Sequence, residues 1–190
     1  MKGVKIFGIM KKRKILKRIS CLLLSLSLLT GCKEAKQEEA LAIINEIQCE
    51  KTGIGFTLNG LWLIEEENKK ENGRTIELSA KNKETGAHIL VFYEDTSEKE
   101  GGNIIRTENY IDNIVENLKI SQEYGFSVKE QQEITLFDKS FISFKAESEA
   151  MDAKQQYFIN NNNEIITVIV ITCYGGEEIA DILRLGKAIN

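Results

Sequence analysis

Cys32 is the residue of this chain best placed to do chemistry, because of the three residues that precede it, Leu29, Thr30 and Gly31. A cysteine thiolate is a strong nucleophile. A small residue such as Gly31 is what a signal peptidase needs immediately before the bond that it cuts. The sequence therefore places a nucleophilic thiol directly after a peptide bond that a signal peptidase can cut.

The segment in front of Cys32 has the charge pattern of an export signal. Its first 18 residues include eight Lys or Arg and no acidic residue, and residues 19–30 are uncharged and rich in leucine. As a helix the apolar run spans roughly 18 Å, well short of the ~30 Å hydrocarbon core of a bilayer. It can start translocation, but it is too short for a permanent membrane span.

Together these features resemble a bacterial lipobox at the end of a lipoprotein signal peptide. The resemblance implies a cleaved signal over residues 1–31 and a protein held on the extracytoplasmic face of the cell membrane by diacylglyceryl-Cys32, since two acyl chains suffice for stable anchoring. A plain secretory signal is the alternative, but such signals favour a small residue at the −3 position, which Leu29 occupies. The start codon stays open between Met1 and Met10.

Other residues with catalytic potential lack partners in the sequence. His88 is the only histidine, and there is no Gly-x-Ser-x-Gly elbow and no His-Glu-x-x-His motif. It shares a predicted strand face with Leu90 and Phe92, which is typical of a partly buried sheet histidine. The run Glu65–Glu67 lacks the alternating ligands and the glycine of a calcium loop. We therefore expect no catalytic residue, no metal site, no cofactor and no enzyme activity.

Two pairs of residues are candidates for other roles. Phe56 and Trp62 are candidates to line a ligand groove, although an aromatic pair at strand spacing is more often part of a core. Cys49 precedes the first predicted strand and Cys173 ends the last one, and outside the membrane such a pair can form a disulfide. Two buried free thiols are the alternative.

The processed chain, residues 32–190, is acidic. Loss of the eight basic residues before Cys32 leaves 17 basic and 29 acidic side chains, a net charge of −12. Such a surface repels phosphate backbones, so we expect no nucleic-acid partner. The remaining 159 residues fit one domain. We predict a lipid-anchored tether over residues 32–51 and a folded domain over residues 52–190.

Residue patterns predict mostly strands. Alternating apolar and polar residues predict half-buried strands at 54–58 and 76–80. Runs that are apolar on both faces predict central strands at 87–93 and 165–173. Further strands are predicted at 126–136, 141–146 and 154–159, with an asparagine hairpin turn after the last of them.

Two helices accompany these strands. Apolar residues recur at i, i+3, i+4 and i+7 over 111–118, and a second helix, 179–189, closes the chain. Strands joined by short turns pair antiparallel, and the helices must cover their apolar faces. The fold class is therefore α+β: a single domain with a central antiparallel β-sheet of about seven or eight strands flanked by two helices.

The start and end of the domain resemble PsbP/Mog1/DcrB-like domains. Gly55–Leu58 followed by Leu61-Trp62 matches their opening pattern of Gly-Phe-x-aliphatic and a later Trp, although Asn59-Gly60 stands where a proline is usual. The ending, from the strand Gln156–Phe158 through an Asn turn to an Ile/Val strand and a helix, is also similar. The resemblance spans 52–189 and implies a long antiparallel sheet with helices on its faces. It implies no reaction, because the family shares no single activity.

Two functions fit these observations. The first is a non-catalytic binding or accessory module of the cell envelope, which meets a protein partner through a sheet edge or a helix face. The second is a small-ligand or lipid-binding lipoprotein with Trp62 beside its pocket.

Overall fold

The computed structural model describes residues 39–71, 73–96, 107–120, 125–129, 131–162 and 164–189. Leu29, Thr30, Gly31 and Cys32, which are predicted to form a lipobox, lie outside the described residues. The compact unit considered below begins at Ile44. Within the described ranges, every helix is too short or too polar to cross a membrane.

The described part of this unit contains twelve strands and two helices. The strands are β1 (Ile44–Cys49), β2 (Ile54–Asn59), β3 (Trp62–Glu66), β4 (Lys69–Glu71), β5 (Arg74–Asn82), β6 (His88–Asp95), β7 (Ser127–Val128), β8 (Gln132–Leu136), β9 (Lys139–Ser148), β10 (Ala153–Asn161), β11 (Ile165–Tyr174) and β12 (Gly186–Ala188). The helices are α1 (Thr107–Ile120) and α2 (Ile179–Leu183).

Nine strands form a large antiparallel sheet. Its order is β3-β5-β6-β11-β10-β9-β7, with β4 also on β5 and β8 also on β9. β11 is central, as its β-branched run predicts, and it is buried along all but its last residue. Each edge of the large sheet consists of two short strands. The prediction of one strand over 126–136 is therefore wrong, because these residues contain two strands, β7 and β8, that each pair with β9. Short, interrupted edges discourage pairing with other chains.

Three further strands form a small sheet in the order β1-β2-β12. Residues 44–49, placed in the tether by sequence, pair with β2 from Ile44 opposite Asn59 to Cys49 opposite Ile54. The closing helix ends at Leu183, because β12 pairs with the other side of β2. These two departures from the prediction have one cause. β2 offers backbone hydrogen-bond partners on both sides, and pairing with β2 holds β1 and β12 as strands although the apolar spacing around each also suits a helix.

Both faces of the large sheet are covered. One face packs against the small sheet and α2, and the core there includes Phe56, Phe158 and Ile169. The other face packs against α1, around Ile111, Phe144 and Val168. The α+β prediction is therefore confirmed: the fold is mainly antiparallel sheet with few helices. The sequence did not predict the small sheet, which covers the same face of the large sheet as α2.

The carboxylate of Glu77 fastens the β1–β2 turn to the large sheet. Its oxygens accept hydrogen bonds from the backbone N–H groups of Lys51 and Thr52, at 2.7 and 3.0 Å. Glu77 is only 4% exposed, so these bonds satisfy a buried charge. The structure therefore uses this carboxylate to hold the two sheets together.

The turn between β8 and β9 closes the same core. Phe137 and Asp138 have φ angles of 52° and 60°, and a two-residue hairpin turn of type I′ requires positive values at both positions. The Phe137 ring meets Phe56 edge-on, with 6.1 Å between ring centroids. A Cβ at Gly186 would overlap the Phe137 ring, so the close approach of β12 requires glycine there.

Candidate ligand-binding cavity

A cavity of about 380 Å³ lies between α1 and the large sheet and is partly open to solvent. Its volume is within the range of small-molecule sites, which are mostly apolar with a few placed polar groups. Strands β6 and β11 supply the apolar floor and α1 the roof. These side chains are Leu90, Phe92, Val168, Val170, Ile114 and Leu118.

A polar row crosses three neighbouring strands at one end of this cavity. In register, His88 on β6 pairs with Thr172 on β11, which pairs with Gln155 on β10. Gln155 Nε2 donates to Thr172 Oγ1 at 3.3 Å, and the Tyr157 hydroxyl donates to Gln155 Oε1 at 2.9 Å. Burial raises the pKa of Tyr157 to about 12, so this hydroxyl keeps its proton and continues to donate.

The next two rows of the floor are apolar on β6 and β11. Leu90 pairs with Val170, and two residues further along the strands Phe92 pairs with Val168. Because side chains alternate between the two faces of a strand, residues two apart point into the same cavity. The register therefore gives the cavity a polar end and a hydrocarbon middle.

Arg74 and Glu94 close the other end. Arg74 Nε donates to Glu94 Oε1 at 3.0 Å, and the Tyr110 hydroxyl of α1 donates to the same oxygen at 2.6 Å. The guanidinium carbon of Arg74 lies 4.9 Å from the centroid of the Phe92 ring, a cation–π contact. Burial, reinforced by Glu94, raises the pKa of Tyr110. The positive charge at this end is thus already paired, and α1 is tied to the sheet.

The surroundings of His88 do not form a catalytic relay. Its Nε2 lies 2.9 Å from Ser79 Oγ and 3.6 Å from Glu65 Oε2, and Ser79 Oγ donates to Glu65 Oε2 at 3.4 Å. A Ser–His–acid relay needs the hydroxyl and the carboxylate on different ring nitrogens. Here both approach Nε2. His88 is part of a sheet hydrogen-bond network on the face of Leu90 and Phe92, as predicted.

His88 gives the protein a testable pH dependence. Burial lowers its pKa; Glu65 raises it and Lys81 lowers it further. The unfolded chain, with a histidine pKa of ~6.5, then binds the proton more readily, so the free energy of unfolding falls as the pH drops from about 6.5 to the folded-state pKa. We expect urea titrations to show this loss in the parent and a smaller loss over the same interval in His88→Gln. Identical pH profiles for the two proteins would contradict it.

Phe56 and Trp62, the candidates for a ligand groove, lie in the core on the other side of the large sheet. Phe56 is fully buried and Trp62 is 6% exposed. Neither lines the cavity beneath α1. In this structure Phe56 and Trp62 are therefore core residues, which is the alternative to a ligand groove that the sequence left open.

Cys49 and Cys173 are free, buried thiols. No disulfide joins them in this structure, which matches the alternative of two buried free thiols. Burial, with nearby carboxylates, raises the pKa of each thiol to about 12, so both remain protonated.

A second concavity, of about 770 Å³, is polar and acidic. Glu46, Glu50, Glu67 and Glu77 line it, and the last of these is already bound to backbone N–H groups. In the part of the chain that the structure describes, no three His, Cys, Asp or Glu side chains are placed to hold a metal ion. The cavity beneath α1 is therefore the better candidate for a ligand site.

Comparison with solved structures defines the class of fold. The solution structure of cyanobacterial PsbP (CyanoP) from Synechocystis sp. PCC 6803 is similar to this chain with a TM-score of 0.51 and 6% sequence identity, over 77% of this chain and 93% of that one. The chain thus has a PsbP-like fold, which confirms that part of the predicted resemblance. At this identity the similarity concerns the fold alone.

No protein-family model matches the sequence, and a search of curated proteins finds no match.

Proposed function

We propose that this protein is a non-catalytic binding module, anchored by diacylglyceryl-Cys32 to the extracytoplasmic face of the cell membrane, that takes a small ligand into the cavity beneath α1. The cavity is the observation that carries the binding role, since mostly apolar walls with a few polar groups at its ends suit a small molecule. The anchor rests on the sequence Leu29-Thr30-Gly31-Cys32.

Three features support binding over catalysis. Both described thiols are buried and protonated, so neither is a ready nucleophile. The Ser79 hydroxyl and the Glu65 carboxylate both approach Nε2 of His88, so the three do not form a catalytic relay. Glu77 is committed to backbone hydrogen bonds. The groups that could act on a substrate are therefore engaged in holding the fold.

Closing the cavity from its roof tests this proposal. Leu118→Phe adds bulk where α1 lines the cavity, and Leu63→Phe adds the same bulk on β3, at a side chain that is 49% exposed. In a thermal-shift screen of lipids and cell-wall fragments, we expect some compound to raise the melting temperature of the parent and of Leu63→Phe but not of Leu118→Phe. A ligand at about 100 times its Kd stabilises by ~2.7 kcal/mol. Equal shifts in all three proteins, or none with any compound, would contradict the proposal.

A protein partner is the second candidate, and the outer edge of β1 favours it. β1 is an edge strand of the small sheet, and Ile44, its first residue, is 58% exposed. An edge strand presents backbone donors and acceptors to which a partner can add a strand. We expect mild crosslinking in intact cells to capture one consistent envelope protein, with a lower yield from Ile44→Lys. An equal crosslinking yield from the parent and from Ile44→Lys would show that the partner does not dock on β1.

A further inference from the structure

We propose that the cavity beneath α1 binds an amphiphile with a single short hydrocarbon chain and a hydrogen-bond-accepting head, such as a carboxylate, placed against Thr172 and Gln155. This inference rests on the proposed function of the cavity as a ligand site and names the ligand class. Three observations carry it: the order of the rows, the volume, and the hydrogen-bonding capacity of the polar row.

The order of the rows sets the direction of the ligand. The strand register puts His88, Thr172 and Gln155 in one row, and the two rows beyond it are built from Leu90, Val170, Phe92 and Val168. At the far end, the charge of Arg74 is neutralised by Glu94. A ligand head is therefore best satisfied at the Thr172 end, with its chain running over the apolar rows beneath α1.

The volume sets the size of the ligand. A water-sized group occupies ~30 Å³ of liquid volume, so a cavity of about 380 Å³ holds about a dozen non-hydrogen atoms. A chain of roughly ten carbons with a carboxylate has that size. A long-chain lipid exceeds it.

The polar row sets the chemistry of the head. Gln155 Oε1 is occupied by the Tyr157 hydroxyl, while Gln155 Nε2 uses one of its two hydrogens on Thr172. Thr172 Oγ1 accepts this bond, and no described residue accepts the hydroxyl proton of Thr172. The row thus presents an O–H and an N–H toward the cavity. At His88 the charges of Lys81, its partner in the register, and of Glu65, 3.6 Å from Nε2, offset each other. The free O–H and N–H groups of Thr172 and Gln155 therefore suit an acceptor head.

Decanoate and decylamine test the proposal, because their chains match and their heads differ. Binding is measured by isothermal titration with the processed protein in nanodiscs, and empty nanodiscs correct for partition into the bilayer. We expect decanoate to bind at least tenfold more tightly than decylamine, with affinity rising from hexanoate to decanoate and not beyond. Equal or tighter binding of decylamine, or affinity that keeps rising to hexadecanoate, would overturn it.

Thr172→Val and Thr167→Val give a matched pair of variants. Both threonines lie on β11 and are almost fully buried, but Thr172 lines the cavity and Thr167 does not. Loss of a hydrogen bond to a charged group corresponds to about tenfold or more in affinity. We expect that loss for decanoate with Thr172→Val and no change with Thr167→Val. If Thr172→Val is unfolded, Gln155→Leu serves in its place, and unchanged affinity in a folded variant would overturn the assigned head position.

The two levels of proposal fail in different ways. If another compound class binds and Leu118→Phe blocks it while decanoate does not bind, the ligand class is wrong and the cavity remains the site. If no compound binds and Leu118→Phe has no effect, both proposals are wrong.

Discussion

Replacement of Cys32 by serine is expected to move the protein out of the membrane fraction or to leave it as an unprocessed precursor. Each buried methylene of an acyl chain contributes ~0.8 kcal/mol to membrane attachment, and serine has no thiol to accept these chains. The acidic processed chain gains nothing from anionic headgroups. Membrane fractionation with intact-mass analysis of the amino terminus measures both outcomes.

Cys21→Ser is the matched control for this experiment. It removes another cysteine from the same leader but not the predicted acceptor, so lipid attachment should persist. If Cys32→Ser stays as firmly in washed membranes as Cys21→Ser, the lipid is not the anchor. An unmodified amino terminus upstream of Cys32, in protein from the cytosol, would refute the export signal as well.

Replacement of Phe56 by alanine is expected to lower the free energy of unfolding by about 3–5 kcal/mol, the usual cost of truncating a buried phenylalanine. Its ring is fully buried and packs against Phe137 and beside Gly186, so its removal leaves a cavity in a closely packed part of the core. Domains have a stability of only about 5–15 kcal/mol in total. Urea unfolding followed by the fluorescence of Trp62, which lies in the same core, measures the change.

Leu63→Ala is the control, because Leu63 is half exposed on β3 and surface truncations usually change stability by no more than about 0.5 kcal/mol. Ligand affinity should be the same in folded Phe56→Ala protein as in the parent. A Phe56→Ala protein of parental stability that has lost ligand binding would restore the groove that the sequence suggested.

Elements with a strong apolar pattern were predictable from the sequence, and several short elements without one were not. The β-branched run 165–173 and the apolar spacing at 111–118 correspond to β11 and α1, because burial imposes one period on many residues. β1, β4, β7 and β12 have two to six residues each. Such segments exist because a neighbour offers them backbone hydrogen bonds, and no local pattern records that.

The proposed ligand site was only partly predictable. His88 was correctly placed on one face with Leu90 and Phe92, since that face follows from alternation within one strand. Its neighbours Thr172 and Gln155 are polar positions in otherwise apolar-facing strands, a signal present in the sequence. Nothing local shows that the three align, because strand register depends on turns and on packing across the whole sheet. Phe56 and Trp62 were ambiguous for the same reason, as a core and a groove need the same residue types.

The sequence by itself was sufficient to predict the localisation of the protein and the lipidation of Cys32, because a signal peptide and a lipobox are recognised as linear patterns before the chain folds. It also determined the fold class, through alternation and helical spacing. Only the tertiary structure decided that Ile44–Cys49 belongs to a second sheet, that Cys49 and Cys173 are buried as free thiols, and that a cavity opens beneath α1. Each of these depends on which strands become neighbours, and in what register, among residues far apart in the chain.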